Sequence, residues 1–408
     1  MVSTETTAPT LTTTRKRIFS IDVFRALTML TMIFVNDLWS LSGIPTWLEH
    51  ASADDDFLGF ADTVFPCFLF IVGMSIPFAI QQRIGKGESY GQILVHIALR
   101  SIALLVMGVF TVNIPDLNAQ AMGMSQEWFQ ILMVLGFLLV WNQYPQENGT
   151  TKPIFRALQL AGVALLVYLA LTFKGGAANN LTGMTPQWWG ILGLIGWTYL
   201  TCAVLYLFLR DKPALLITAW AFFSLFTIAG HSGWLRSLWP TGPHDWILGN
   251  GAFSSFTFAG ILATLLLTRL QQTEKTSQLP LLFVGIGVLF LLAGFSARTF
   301  FIISKIHATP TWIFLCCGIA FILYAFVYWL VDMQGKARWF DPIKPAGTST
   351  LTCYLIPYVY YSVANLSGIS LPDALKVGGI GLLKSFLFAL VVIGITAVLG
   401  KLRIKLKL

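Results

Sequence analysis

Apolar residues along this chain gather into long runs separated by short polar segments. The runs fall near 17–41, 59–82, 92–112, 126–144, 154–173, 191–210, 213–230, 251–270, 280–298, 312–334, 347–366 and 380–400. A run of about 20 apolar residues spans the hydrocarbon core of a bilayer as one α-helix. The pattern predicts an all-α, polytopic transmembrane helical bundle of about 12 (10–12) spans. The run at 347–366 stands apart because Thr, Ser and Tyr interrupt it.

Composition agrees with that class. Hydrophobic residues make up 56% of the chain and charged residues 11%, and the mean hydropathy is +0.73. Soluble domains carry about 25% charged residues, so few segments here could form a soluble surface. Residues 1–16 are Thr-rich without an apolar centre and are expected to form a disordered leader. Residues 17–408 read as a single transmembrane domain, since no linker or shift in composition divides them.

The basic residues set the orientation. With residues 1–16 in the cytoplasm, 17 of the 26 Lys and Arg fall on cytoplasmic segments, among them Arg83, Lys86, Arg210, Lys212, Lys405 and Lys407. The opposite side holds Lys174, Arg236, Arg298, Lys305, Lys376 and Lys384. This asymmetry follows the positive-inside rule and predicts cytoplasmic termini. The same anchoring accounts for the net charge of +8. No basic stripe interleaved with aromatics points to nucleic acid. Cys67, Cys202, Cys316, Cys317 and Cys353 all lie inside apolar runs and read as small core residues; no Cys/His spacing suggests a metal site.

One internal echo stands out. Gly123-Met-Ser-Gln-Glu-Trp128 resembles Gly183-Met-Thr-Pro-Gln-Trp188, each before an apolar run on the external side. It fits either two ordinary interfacial aromatic belts or a duplicated helical hairpin.

Polar groups at membrane depth are costly, and the first three runs hold most of them. Asp22 and Arg25 are spaced for an ion pair on one helix face, and Arg100 lies about two turns into the third run. At the other ends, Asn36, Asp37, His50, Asp54, Asp55, Asp56 and Asp62 converge on the first external connection. The Asp54–Asp56 run suits a hydrated loop. Asp62 does not, being followed directly by Thr-Val-Phe-Pro-Cys-Phe-Leu-Phe. An imidazole beside a carboxylate can move a proton during chemistry at the membrane surface.

Arg17-Ile-Phe-Ser-Ile-Asp22-Val-Phe-Arg25, then Ile-Phe-Val-Asn36, His50-Ala-Ser and Ala61-Asp62-Thr-Val-Phe-Pro66-Cys-Phe-Leu-Phe-Ile-Val-Gly73 resemble the heparan-α-glucosaminide N-acetyltransferase family, in a bacterial branch. Thr309-Pro-Thr-Trp312 and Lys344-Pro-Ala-Gly347 extend the resemblance in patches. It implies a transmembrane acyltransferase of the bacterial inner membrane that takes acetyl from cytosolic acetyl-CoA. The acceptor would be an amine or hydroxyl of an extracytoplasmic sugar or glycan. The resemblance makes His50 the functional histidine, with Asn36 beside it to orient the ring or stabilise the thioester oxygen; Asp62 is the further candidate, as a carboxylate that orients the ring. Arg17, Arg25 and Arg100 are the expected cations for the donor's phosphates. Where the family commonly continues from the histidine with Trp-Asn-Gly, this chain has Ala53-Asp-Asp-Asp-Phe-Leu-Gly59.

The reading from another class is a secondary transporter of a small polar solute, which about twelve spans and an internal repeat would also fit. A non-catalytic sensor or scaffold is a third. The clustering of polar groups at both surfaces of the first three spans favours the acyltransferase. The lipid bilayer and a sugar acceptor are the expected partners, a homodimer an expected assembly.

Overall fold

The computed structural model describes residues 18–144, 152–237 and 249–408; the expected leader at 1–16, Arg17 and His244 lie outside them. The described residues form helices and connecting segments without a named strand. In chain order the helices are α1 (Phe19–Asp37), α2 (Ala61–Gly85), α3 (Tyr90–Asn113), α4 (Ala119–Met122), α5 (Gln126–Trp141), α6 (Lys152–Thr172) and α7 (Ile191–Leu209). There follow α8 (Pro213–His231), α9 (Ala252–Gln272), α10 (Leu279–Ala297), α11 (Pro310–Tyr328), α12 (Lys344–Thr348), α13 (Thr350–Ser367) and α14 (Gly378–Lys401).

Among the described residues, ten helices are long and apolar enough to cross a membrane. The runs at 126–144 and 347–366 do form helices, α5 and α13, but neither is among the ten. α5 has 16 residues, short for a span, and α13 spends two of its polar side chains on partners inside the protein. Ser362 Oγ donates to Gln130 Oε1 of α5 at 2.7 Å, and the Tyr361 hydroxyl donates to Asp37 of α1.

Burial separates an inner from an outer set. Of the residues in the apolar windows of α1, α9 and α11, 61% are buried, and 67% in α2. The share falls to 17% in α6 and 22% in α8 and α10, whose outer faces carry Leu160, Leu171, Phe222 and Leu289. Exposed apolar side chains of this kind suit contact with lipid tails.

Two glycines set the closest crossing in the core. A Cβ on Gly73 of α2 would stand 1.9 Å from the carbonyl oxygen of Thr257, and one on Gly260 of α9 would stand 1.9 Å from that of Phe70. Small residues let helix backbones approach where no hydrophobic force draws them together. Thr264 Oγ1 of α9 then donates to the Met74 carbonyl at 2.9 Å.

Pro66 lies inside α2 and lacks the N–H that would bond the Asp62 carbonyl four residues earlier. The indole of Trp312 fills that place: its Nε1 donates to the Asp62 carbonyl at 3.1 Å. Trp312 is fully buried, so a remote helix completes the first turn of α2.

The internal echo does not give matching hairpins. After Gly123 the helix starts at Gln126, capped by Ser125 accepting from Trp128 N. After Gly183 the chain stays irregular until Ile191, because Asn113 captures Thr185 at the capping position. Asn113 Oδ1 accepts from Thr185 N at 3.1 Å and its Nδ2 donates to Thr185 O at 2.8 Å.

Candidate active site

The 38–60 connection between α1 and α2 folds back onto the start of α2, where Asp62 is buried in the first turn. A carboxylate there is favoured by the helix dipole and by nearby free backbone N–H groups. Asp62 Oδ2 accepts from Ala51 N at 3.0 Å and from Gly59 N at 3.3 Å. Gly59 is required by contact: a Cβ there would meet the Glu49 carbonyl oxygen at 1.9 Å. The other oxygen, Oδ1, lies 2.6 Å from His50 Nδ1.

Lys305, from the 298–309 segment between α10 and α11, joins the pair. Its Nζ is 3.1 Å from His50 Nδ1 and 3.6 Å from Asp62 Oδ1. Nδ1 can serve only one of these neighbours. The 2.6 Å separation from a carboxylate requires a proton between them, so Nδ1–H donates to Asp62 and the ammonium is held by the carboxylate's charge. This fixes the tautomer with the lone pair on Nε2, which has no protein partner among the described residues. Burial lowers the Lys305 pKa from the ordinary value, and the charge of Asp62 opposes that shift.

A second set of contacts clamps the same two segments together. Asp56 Oδ2 accepts from Arg298 Nε at 2.8 Å and Oδ1 from Ile303 N at 2.8 Å. Ser304 Oγ donates to the Ala53 carbonyl at 2.7 Å. The Ile303 N–H holds the Asp56 carboxyl below its ordinary pKa, with Arg298 adding to the effect and burial opposing it. The acidic run is therefore not only a hydrated loop: its third member fastens the loop.

Asn36 lies elsewhere. It is exposed and makes no hydrogen bond to His50, and it lines a cavity of about 350 Å³ with Gln126, Glu127, Tyr358, Tyr361 and Asn365. Asp37 turns from His50 as well, accepting from Lys384 Nζ at 2.7 Å and Ser385 Oγ at 2.5 Å on α14. The position beside the imidazole that sequence reading gave to Asn36 or Asp62 is held by Asp62.

Arg25 and Arg100 share a cavity of about 420 Å³ at the opposite end of the bundle, together with Lys405 and Lys407 of the C-terminal segment. Arg25 donates to Ser75 Oγ at 2.7 Å and pairs with Asp22 at 3.4 Å. The Arg100 guanidinium sits 4.6 Å from the centre of the Tyr199 ring. Four cations in one apolar-walled cavity suit a polyanion. The cavity runs along α7 as far as Ile191, and Ile191 also lines a third cavity, of about 810 Å³, walled by Trp188, Trp197, Phe65, Trp312 and Lys305. Phe68 and Phe65, one helical turn apart on α2, face the two cavities in turn.

Sequence reading missed Lys305, Lys405 and Lys407 as site residues. Each had been counted only by the side of the membrane on which it falls. No local motif marks them, and only the folded chain brings them to Asp62 or Arg25.

Comparison with known proteins bears on the first quarter of the chain. Residues 17–118 match the family model for heparan-α-glucosaminide N-acetyltransferase, catalytic. The heparan-α-glucosaminide N-acetyltransferase of Homo sapiens is 38% identical over 98 residues, which are 24% of this chain and 14% of that protein. That of Mus musculus is 37% identical over 98 residues, with the same shares. The match thus spans about one seventh of the length of these relatives. Residues 17–118, which supply His50, Asp62, Asn36, Arg25 and Arg100, are similar to the catalytic region of the heparan-α-glucosaminide N-acetyltransferases.

Proposed function

We propose that this protein is a transmembrane N-acetyltransferase that takes acetyl from acetyl-CoA at the Arg25 end of the bundle and delivers it to a sugar at the His50 end. The observation that carries this reading is the His50–Asp62 pair where α1 leads into α2, with Arg25 of α1 and Arg100 of α3 lining one cavity toward the other end of the bundle. With cytoplasmic termini, the cation cavity would open to cytosolic acetyl-CoA and His50 would face outward, in a bacterial inner membrane.

Each chemical role then has a residue. The phosphates of the donor pair with Arg25, Arg100, Lys405 and Lys407. Nε2 of His50 takes the proton from the acceptor amine or hydroxyl as that atom forms its bond to the acetyl carbon. The carbon–sulfur bond breaks, and the thiolate takes up a proton on release as free CoA. Asp62 holds the ring in the required tautomer and stabilises the imidazolium. Asn36, which lines the separate cavity with Tyr358 and Asn365, is assigned no step at His50.

The test is acetyl transfer in proteoliposomes, read as release of free CoA thiol on addition of a sugar acceptor. Wild type should turn over, and His50→Ala should lose about 10²–10⁴-fold while still binding CoA. Arg25→Ala and Arg100→Ala should instead weaken CoA affinity. Transfer by His50→Ala within a few-fold of wild type would remove the catalytic assignment and favour a transporter.

A further inference from the structure

The cavity of about 350 Å³ that takes in Asn36 has a chemistry of its own. It lies between α1, α5, α13 and α14, and only Ile33, Asn36 and Trp39 of its wall fall within residues 17–118. It has no wall residue in common with the cavity beside His50, and Tyr354 is the one it shares with the cavity of Arg25 and Arg100. Glu127, in the first turn of α5, is the one formally charged side chain among the described residues that line it. The Ser125 hydroxyl and the Asn365 amide donate to its carboxylate, and both are neutral. Among the described residues no cation offsets Glu127; Lys384 of α14 is held by Asp37 instead. Aromatic rings line the same space. Trp39 meets Tyr361 edge-to-face at 5.5 Å, Tyr361 meets Phe388 at 5.7 Å, and Tyr354 meets Tyr358 at 6.0 Å. Their hydroxyls are engaged within the protein, Tyr361 with Asp37 and Tyr354 with Tyr358. The amides of Asn36 and Gln126 have no partner among the described residues, and their oxygens can accept from N–H donors.

We propose that this cavity binds a compact organic cation, an alkylammonium, with Glu127 as its counter-charge and the ring cluster as its wall. The face of a Tyr or Trp ring attracts a cation through the ring quadrupole, and the attraction grows as water is displaced. The carboxylate supplies the opposite charge, and the open amide oxygens take N–H donors. An anion placed here would meet Glu127 with no cation to offset it. A neutral polyol would find the tyrosine hydroxyls already engaged. The cavity on the other side of Tyr354 gathers Arg25, Arg100, Lys405 and Lys407, so the two adjoining spaces select opposite charges. Nothing in this cavity's chemistry requires acetyl transfer at His50. An alkylammonium occurs both in free amines and in the headgroups of aminophospholipids, and the ligands of the test separate the two.

The experiment is calorimetric titration of the detergent-purified full chain against ethanolamine, choline, their neutral counterpart ethylene glycol and the anion glycolate. Dihexanoylphosphatidylethanolamine and dihexanoylphosphatidylglycerol supply the lipid pair. The ammonium member of one or both sets should bind at least about tenfold more tightly than its partner without the ammonium. Glycolate should bind no better than ethylene glycol. A preference among the free amines assigns the ligand to a soluble amine, and one confined to the lipid pair assigns it to a headgroup. The preference should shrink with rising salt. It should fall several-fold in Glu127→Gln and in Tyr358→Leu, and should be kept in Tyr358→Phe, which retains the ring. Wild type that favours neither free amine over ethylene glycol, nor the ethanolamine lipid over the glycerol lipid, overturns the proposal, and that result needs no variant to fold. So does a preference that persists at full strength in both Glu127→Gln and Tyr358→Leu, because the cation is then held elsewhere.

Discussion

Trp312 of α11 donates its indole N–H to the backbone carbonyl of Asp62, 250 residues earlier, at 3.1 Å. Pro66 leaves that carbonyl without its helical partner, so the bond ties the turn bearing the Asp62 carboxylate to the wall of the adjoining cavity. Trp312→Phe keeps an aromatic ring and removes the donor. An unsatisfied buried carbonyl costs about 1–3 kcal/mol, and the smaller ring leaves a void that adds to it. Thermal unfolding in detergent should occur at lower temperature, and acetyl transfer should fall because Asp62 loses its placement. An unchanged melting temperature would show that the bond contributes nothing.

Asp62 has two separable duties. Its Oδ1 orients His50, and its Oδ2 gathers the N–H groups of Ala51 and Gly59. Asp62→Asn keeps an acceptor but lacks the charge that stabilises the imidazolium, so it should lose about 10²–10⁴-fold in turnover with a small change in stability. Asp62→Ala should also destabilise, because two buried N–H groups are left without an acceptor at about 1–3 kcal/mol each. Equal melting temperatures for the two variants would contradict this division.

The crossing of α2 and α9 gives a prediction with an internal control. Ala at Gly73 or Gly260 puts a methyl group 1.9 Å from a backbone carbonyl oxygen of the other helix, which no side-chain rotation relieves. The helices must separate, at a cost of about 3 kcal/mol or more. Gly285→Ala on α10 meets nothing within 4 Å and should leave stability unchanged or raise it slightly through helix propensity. Similar stability of all three variants would mean that the crossing is looser than described.

How much of this was legible beforehand depends on the range of the interaction. The helical runs are local properties of hydropathy, and each predicted run does contain a helix. The pairing of His50 with Asp62 was within reach too, since 12 residues separate them and only one connection has to fold back. Asn36 was placed with the same neighbourhood because it ends the first run. Sequence alone does not say which way a side chain turns at the end of a helix, and this one faces α5 and α13. Lys305 could not be foreseen: its partner lies 255 residues away, and the segment that carries it is positioned by Asp56 and Ala53. The same holds for Lys405 and Lys407, brought to Arg25 by a segment that pairs with Asn142 and Gln143.

Asp56 provides the last prediction, a dependence on acid. Its carboxylate joins the His50 loop to the Lys305 segment through Arg298 and the Ile303 N–H, and the Ile303 bond is the main reason its pKa lies below the ordinary 3.8. A carboxyl with a depressed folded pKa binds fewer protons folded than unfolded, so its contribution to stability is complete above 3.8. That contribution is lost as pH falls through the folded value. The clamp should therefore hold unchanged at neutral pH and open only in acid, in the window below 3.8. Hydrogen exchange of the Ile303 amide reports on it directly, and protection should fall across that window in the wild type. In Asp56→Asn the Arg298 ion pair is gone at every pH. Exchange at Ile303 should then be faster at neutral pH and should lack the acid step, while exchange in α2 and α9 stays slow. An acid step that persists in Asp56→Asn would assign the titration to another group and leave the clamp without its proposed pH dependence.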